Sequence, residues 1–183
     1  AALPRPKMII IVLDRGSALT DHQLRLAKSI AKHILNSLSR RDKISLIDLW
    51  ASAHDASDDA CGSNLAMANA DYESKLIYSK YIDRLQRSYN STNHYVGLQK
   101  AFEMIEANYL SFKGKFLFHC SNHVPYISLN TEHIEMEPHV LIAYISRGLL
   151  ASLADARPVM QLIADKLANS SFQFIINTYA LID

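Results

Sequence analysis

Two short segments carry residue types from which a polar site could be built. Asp14-Arg15-Gly16-Ser17-Ala18 follows the apolar run Met8 to Leu13, and Ser146-Arg147-Gly148 closes the run Val140 to Ser146. Runs of this kind, rich in β-branched residues, read as strands buried on both faces of a parallel sheet. In open parallel sheets, ligands bind just beyond the carboxyl ends of the strands. Other chemistries are less well provided for. His119, His123, His133 and His139 have spacings of four, ten and six, which match no standard zinc pattern. Ser17 beside Asp14 lacks the Gly-x-Ser-x-Gly elbow of a hydrolase and an assignable base. The chain contains no Gly-x-Gly-x-x-Gly and no Walker loop, so neither catalysis nor a nucleotide is indicated.

The elements that would position these residues follow from periodicity. Leu24, Ala27, Ile30, Ile34 and Leu38 recur at helical spacing, predicting a first helix capped by Thr20 or Asp21. Lys43 to Trp50 alternates as a strand, and Ala51 to Asn69 is expected to be a loop. A second helix is expected over residues 71–87, with Leu76, Leu85 and several tyrosines. A third runs over residues 93–108, with Val96, Leu98, Ala101, Phe102 and Ile105. Thr92 stands where a helix cap is common. Phe116 to Phe118 is a short strand, the stretch on to His139 is irregular, and Pro158 to Ala168 is a helix with Pro in its first turn. Phe172 to Ile182 is the last strand. Strands alternating with helices of this length predict an α/β fold with a mostly parallel, doubly wound sheet. Trp50 and the tyrosines of the second helix read as core and packing surface.

Composition narrows the function class. The chain has 183 residues with 49% hydrophobic and 20% charged, enough for one ordinary core without metal or disulfide staples, so residues 1–183 read as one domain. Its 19 basic and 18 acidic residues nearly cancel, and no cationic cluster exceeds Arg40-Arg41, which disfavours nucleic acid. No apolar run approaches the roughly 20 residues needed to span a bilayer, so this stretch itself makes no membrane contact. The absence of an initiator Met and the apolar ending, Ile175 to Ile182, read as a piece of a longer protein. Cys61 and Cys120 could pair with each other, pair with a part of the protein outside this chain, or stay reduced. Asn90-Ser91-Thr92 and Asn169-Ser170-Ser171 fit the N-glycosylation sequon, which favours secretion weakly.

The segment Asp14 to Leu19, after its apolar strand and before an amphipathic helix, resembles the start of a von Willebrand factor A domain. In that family an Asp-x-Ser-x-Ser motif, a Thr from a later loop and an Asp ending a later strand form a metal-ion-dependent adhesion site. Ser91 to Phe102 resembles the Thr-bearing loop and the helix after it, with Thr92 at the Thr position. Ile145-Ser146-Arg147-Gly148 resembles the later strand end, with Arg147 in place of the Asp. Asp42 to Ser45, Gly97 to Phe102 and Thr178 to Leu181 extend the likeness to the A domain of the VWFA and cache domain-containing proteins, relatives of the α2δ subunits of voltage-gated calcium channels. It covers most of the chain except residues 51–71 and 111–139.

On that resemblance the site residues are Asp14, Gly16, Ala18, Thr92 and Arg147. A hard cation requires about six oxygen ligands. Asp14 and Thr92 supply oxygen, Gly16 and Ala18 supply none from a side chain, Ser17 is one residue off the spacing, and Arg147 puts a permanent positive charge where a carboxylate should attract the ion. The expectation is a vestigial site that holds no divalent metal, with Arg147 pairing with Asp14 in the metal's stead. No other cofactor is implied. The related α2δ subunits carry a cysteine at the place of Cys61 bridged to a distant part of the protein; a free thiol is the alternative. The resemblance implies a non-enzymatic protein-recognition domain outside the cell, part of a single-pass membrane protein. It further implies the fold without its final helix, and a partner such as the pore subunit of a voltage-gated calcium channel. The alternative is a scaffold domain that holds neighbouring cache domains without touching a partner.

Overall fold

A computed structural model describes residues 4–56, 67–113, 116–121, 124–129, 137–147 and 153–182. The strands are β1 (Lys7–Asp14), β2 (Lys43–Leu49), β3 (Ala53–Asp55), β4 (Ala68–Asn69), β5 (Phe116–Ser121), β6 (Val124–Leu129), β7 (His139–Ser146) and β8 (Phe174–Ala180). The helices are α1 (Asp21–Ser37), α2 (Tyr72–Arg84), α3 (His94–Lys113) and α4 (Leu153–Asn169). The main sheet runs β3-β2-β1-β7-β8, with β4 also on β2, and β5 and β6 form a separate hairpin. In the main sheet β2, β1, β7 and β8 are parallel, and among the described residues only the short β3 and β4 join it antiparallel.

The run that begins at Met8 forms the central strand because it can be buried on both sides. Ile9, Ile11 and Leu13 pack with Leu24, Ala27, Ala31 and Leu35 of α1 and with Tyr78 and Ile82 of α2. The alternate residues Met8, Ile10 and Val12 pack with Leu98, Ala101, Phe102 and Ile105 of α3. Period-two alternation thus feeds two cores, one on each face. α1 starts where its sequence specifies: Thr20 Oγ1 accepts from the Gln23 N–H at 3.1 Å, and Gln23 Oε1 accepts from the Thr20 N–H at 3.0 Å. This reciprocal capping box satisfies two otherwise orphaned donors.

Several sequence expectations need correction. The expected loop 51–69 contributes β3 and β4, which cover part of the exposed edge of β2. The stretch before His139 is not wholly irregular, because Val124–Leu129 returns antiparallel on Phe116–Ser121; a hairpin depends on its cross-strand partner more than on local pattern. The second helix ends at Arg84, and the third extends to Lys113. Pro158 lies inside α4, the sixth residue of a helix that starts at Leu153, and not in its first turn. The last strand is shorter than its apolar run, Phe174 to Ala180.

Candidate functional site

Asp14 ends β1, and Ser146 ends β7 beside it. The chain leaves β1 through α1 toward β2 on one side, while β7 pairs on the other side, so the two strand ends flank the point where the winding reverses. Asp14 is buried, and its carboxylate is held by three donors. Oδ1 accepts from the Gly16 N–H at 2.8 Å and from Thr92 Oγ1 at 2.6 Å, and Oδ2 accepts from Ser146 Oγ at 2.8 Å. Thr92 gives its hydroxyl to this cluster; one residue on, Asn93 Oδ1 accepts from the Val96 N–H in the first turn of α3.

Gly16 is required here by close approach. A Cβ on it would lie 1.9 Å from Thr92 Oγ1 and 3.1 Å from both Thr92 Cβ and Thr92 N. The threonine oxygen therefore occupies the volume that a side chain at position 16 would need. Ala18 and Ser17 are exposed on the loop. Below the cluster, Tyr144 OH and His94 Nδ1 are 2.6 Å apart, fastening the first residue of α3 to β7. Burial, and then the nearby Asp14 carboxylate, push the Tyr144 phenol well above its ordinary range. A cleft of about 370 Å³ opens beside Thr92 and His94, with Ala51, Tyr95 and Pro158 on its walls.

Arg147 does not pair with Asp14. Its Nη1 donates to the Ala18 carbonyl at 3.1 Å on the outside of the loop, and the side chain is exposed. The buried carboxylate is satisfied by neutral donors within reach, whereas drawing the guanidinium inward would strip it of water. The oxygen set around Asp14 does not fit a divalent cation. It comprises one carboxylate and two hydroxyls already bonded to it, with no side-chain oxygen from positions 16 and 18, and the residue after Ser146 is an arginine, which brings no oxygen ligand. Among the described residues, no three His, Cys, Asp or Glu side chains converge on a metal-sized site.

A second polar cluster escaped the sequence reading. Asp48, near the end of β2, is buried. Its Oδ2 pairs with Arg15 Nε at 2.6 Å, and its Oδ1 accepts from Tyr81 OH at 2.7 Å. His54, opposite Asp48 in the β2–β3 register, places Nδ1 3.3 Å from the same Oδ1 and 2.9 Å from Tyr81 OH. The Arg15 guanidinium lies 3.9 Å from the centre of the Trp50 ring, a cation–π contact. Trp50 thus packs, as expected, but on an arginine; Tyr78 is core, Tyr81 is a hydrogen-bond donor, and Tyr72 is exposed. The available signal was Asp48 itself, a carboxylate at an apolar position of an alternating strand, which requires a partner.

Backbone bonds knit the loops into one rim. Arg15 N–H donates to Leu49 O, Ser88 N–H to Arg15 O, Ser17 N–H to Asn90 O, and Asn93 N–H to Trp50 O. The remaining sequence candidates are dispersed. Asn90 and Asn169 are exposed, and Asn169 Nδ2 donates to the Asp165 carbonyl. His139 is exposed at the start of β7. Cys61, His123 and His133 lie outside the described residues, and Cys120 and His119 fall within β5.

The architecture is that of von Willebrand factor A domains, with a hydrogen-bonded carboxylate at the strand-end position. It aligns with a von Willebrand factor type A protein from Catenulispora acidiphila at a TM-score of 0.59 and 13% identity, over 95% of this chain and 33% of that one. It also aligns with proximal thread matrix protein 1 from the mussel byssus at a TM-score of 0.53 and 13% identity, over 97% of this chain and 39% of that one. In sequence, the chain is 29% identical over 182 residues to the VWFA and cache domain-containing protein CG16868 of Drosophila melanogaster. The match takes in 97% of this chain and 11% of the fly protein, so the chain spans about a tenth of that relative's length. No family model matches. No helix among the described residues is long and apolar enough to cross a membrane.

Proposed function

We propose that this chain is a single A-type domain that recognises protein through its strand-end rim without a divalent cation. The observation that carries the reading is the state of Asp14, whose carboxylate is already engaged by the Gly16 N–H and by the hydroxyls of Thr92 and Ser146. Asp14, Gly16, Ala18, Thr92 and Arg147 then form a vestigial adhesion site whose loops keep their shape through hydrogen bonds. Calorimetry with millimolar Mg²⁺, Ca²⁺ or Mn²⁺ should show no saturable binding, and the thermal midpoint should be indifferent to EDTA, because a ligand of the native state would raise it by mass action. A micromolar dissociation constant abolished by Asp14→Ala would refute the reading.

The resemblance to the VWFA and cache domain-containing proteins supports a finer proposal. The domain would lie on the extracellular face of a membrane-anchored auxiliary protein that modulates voltage-gated calcium channels, with glycans on Asn90 and Asn169 and a bridge through Cys61. Co-purification of the full-length protein with a channel pore subunit, lost when this domain is deleted, is the expected result. Glycosidase-sensitive mass at both sequons and protection of Cys61 from alkylation test the remainder. One observation favours the scaffold alternative instead: Met160, Leu167, Ile175 and Ile182 expose apolar surface on α4, on β8 and just after it. If Ile175→Lys impairs the full-length protein's assembly while rim substitutions do nothing, the scaffold reading replaces the recognition one.

A further inference from the structure

Charge on the strand-end rim is segregated by sign. Residues 15–20, 50–54 and 85–93 contain no acidic residue, and the two carboxylates beneath them, Asp14 and Asp48, are buried and engaged. The exposed acids nearby are Asp21, 3.5 Å from Arg87 Nε, Asp83, paired with Lys32, and Glu103, which shares a cleft with residues 51–53 on the α3 side. The rim cations remain in contact with solvent. Arg147 Nη1 donates to the Ala18 carbonyl and Arg87 Nη1 to the adjacent Leu19 carbonyl at 2.8 Å, so two guanidiniums grip one loop through successive backbone oxygens. Arg147 has no carboxylate within ion-pair distance among the described residues. A guanidinium has five N–H donors, and one carbonyl takes up only one of them.

An aromatic side chain stands on the same rim. Tyr89 is 97% exposed, yet its backbone is fixed on both sides, because the Ser88 N–H donates to Arg15 O and Asn90 O accepts from the Ser17 N–H. A fully exposed tyrosine on an anchored loop loses little backbone freedom when a partner docks, and beside it Arg147 is held by one backbone bond and Arg87 by a backbone bond and the Asp21 ion pair. Tyr and Arg are also the side chains that most often dominate interface energetics.

We propose that this rim binds an acidic segment of a partner protein, with its carboxylates on Arg147 and Arg87 and its neighbouring side chains on Tyr89. Guanidinium groups match carboxylates in charge and in their paired N–H geometry, so no metal ion is needed between domain and ligand. The inference rests on the recognition reading above and adds the chemistry of the partner.

The test is selection of random dodecapeptides displayed on phage against the immobilised full-length protein, in Mg²⁺ and in EDTA. Recovered peptides should be enriched in Asp and Glu over the starting library, equally in both buffers. A synthetic copy of the best peptide should bind at least about tenfold more weakly to Arg147→Glu and to Tyr89→Ala. Raising the ionic strength from about 0.05 M to about 0.5 M should weaken it further, as for exposed charges. Tyr89→Ala removes a side chain that supports nothing in the fold, so it stays informative if the arginine variant folds poorly. Peptides lost on Tyr89→Ala but not enriched in acidic residues would overturn the acidic-segment inference and leave the recognition reading standing. Recovery of no peptide, or only of peptides indifferent to every rim substitution, would overturn both.

Discussion

The close approach of Gly16 to Thr92 can be measured as a coupling energy. Thr92→Ala deletes a hydroxyl that donates to the buried Asp14 carboxylate at 2.6 Å. Hydrogen bonds to charged groups contribute about 1.5–3 kcal/mol, so this is the expected loss. Gly16→Ala places a Cβ 1.9 Å from Thr92 Oγ1, which forces the threonine to rotate and forfeits the same bond. Two further contacts at 3.1 Å must also give, so this single change should cost about 2–4 kcal/mol. In the double variant the offending oxygen is gone but the 3.1 Å contacts to Cβ and N of residue 92 remain, so alanine at 16 costs about 0.5–1 kcal/mol beyond Thr92→Ala alone. The double-mutant cycle should therefore show a coupling of about 1.5–3 kcal/mol, the double variant being more stable than additivity predicts. Urea denaturation followed by circular dichroism gives each free energy by linear extrapolation. The corresponding shift in thermal midpoint is about 2–4 °C per kcal/mol for a chain of this length. Additivity within about 0.5 kcal/mol would mean that Gly16 and Thr92 do not share one site, and the account of the Asp14 cluster would fall with it.

Arg15→Met keeps an apolar stem against Trp50 but leaves Asp48 buried without its cation; because Arg15 retains some exposure, a loss of about 1–3 kcal/mol is expected in urea denaturation, largely recovered by adding Asp48→Leu. An unchanged midpoint in Arg15→Met would refute that pairing. Burial holds the phenols of Tyr78 and Tyr144 above their ordinary range, so the native state retains protons that the unfolded chain releases. Stability from these groups is present below pH about 10 and falls above it, and in a spectrophotometric titration of the nine tyrosines these two should ionise only as the protein unfolds. The triple variant Gly16→Ser, Ala18→Ser, Arg147→Asp should be less stable than the parent in EDTA, because a serine at 16 displaces Thr92, and should gain a Mg²⁺-dependent rise in thermal midpoint as the oxygen set is restored. No rise with Mg²⁺ would withdraw the assignment of these loops to a former metal site.

The sequence by itself determined what depends on near neighbours along the chain. The run from Met8 specified a strand covered on both faces, because alternate residues must each find a core. Thr20 and Gln23 fixed the start of α1, because their side chains reach donors three residues away. Asp14 was legible as the polar residue that ends the first strand. Tertiary structure decided the pairings between distant residues. Asp48 meets Arg15 and Tyr81 across 33 positions each, and nothing local distinguishes the arginine that reaches it from the one that does not. Arg147 was expected inside the cluster and lies outside it, because Thr92 and Ser146 supply hydroxyls to Asp14 without the cost of desolvating a guanidinium. The hairpin before β7 and the short strands on β2 were illegible for the same reason: a strand's hydrogen-bonding groups are satisfied by a neighbour whose position only the folded chain defines.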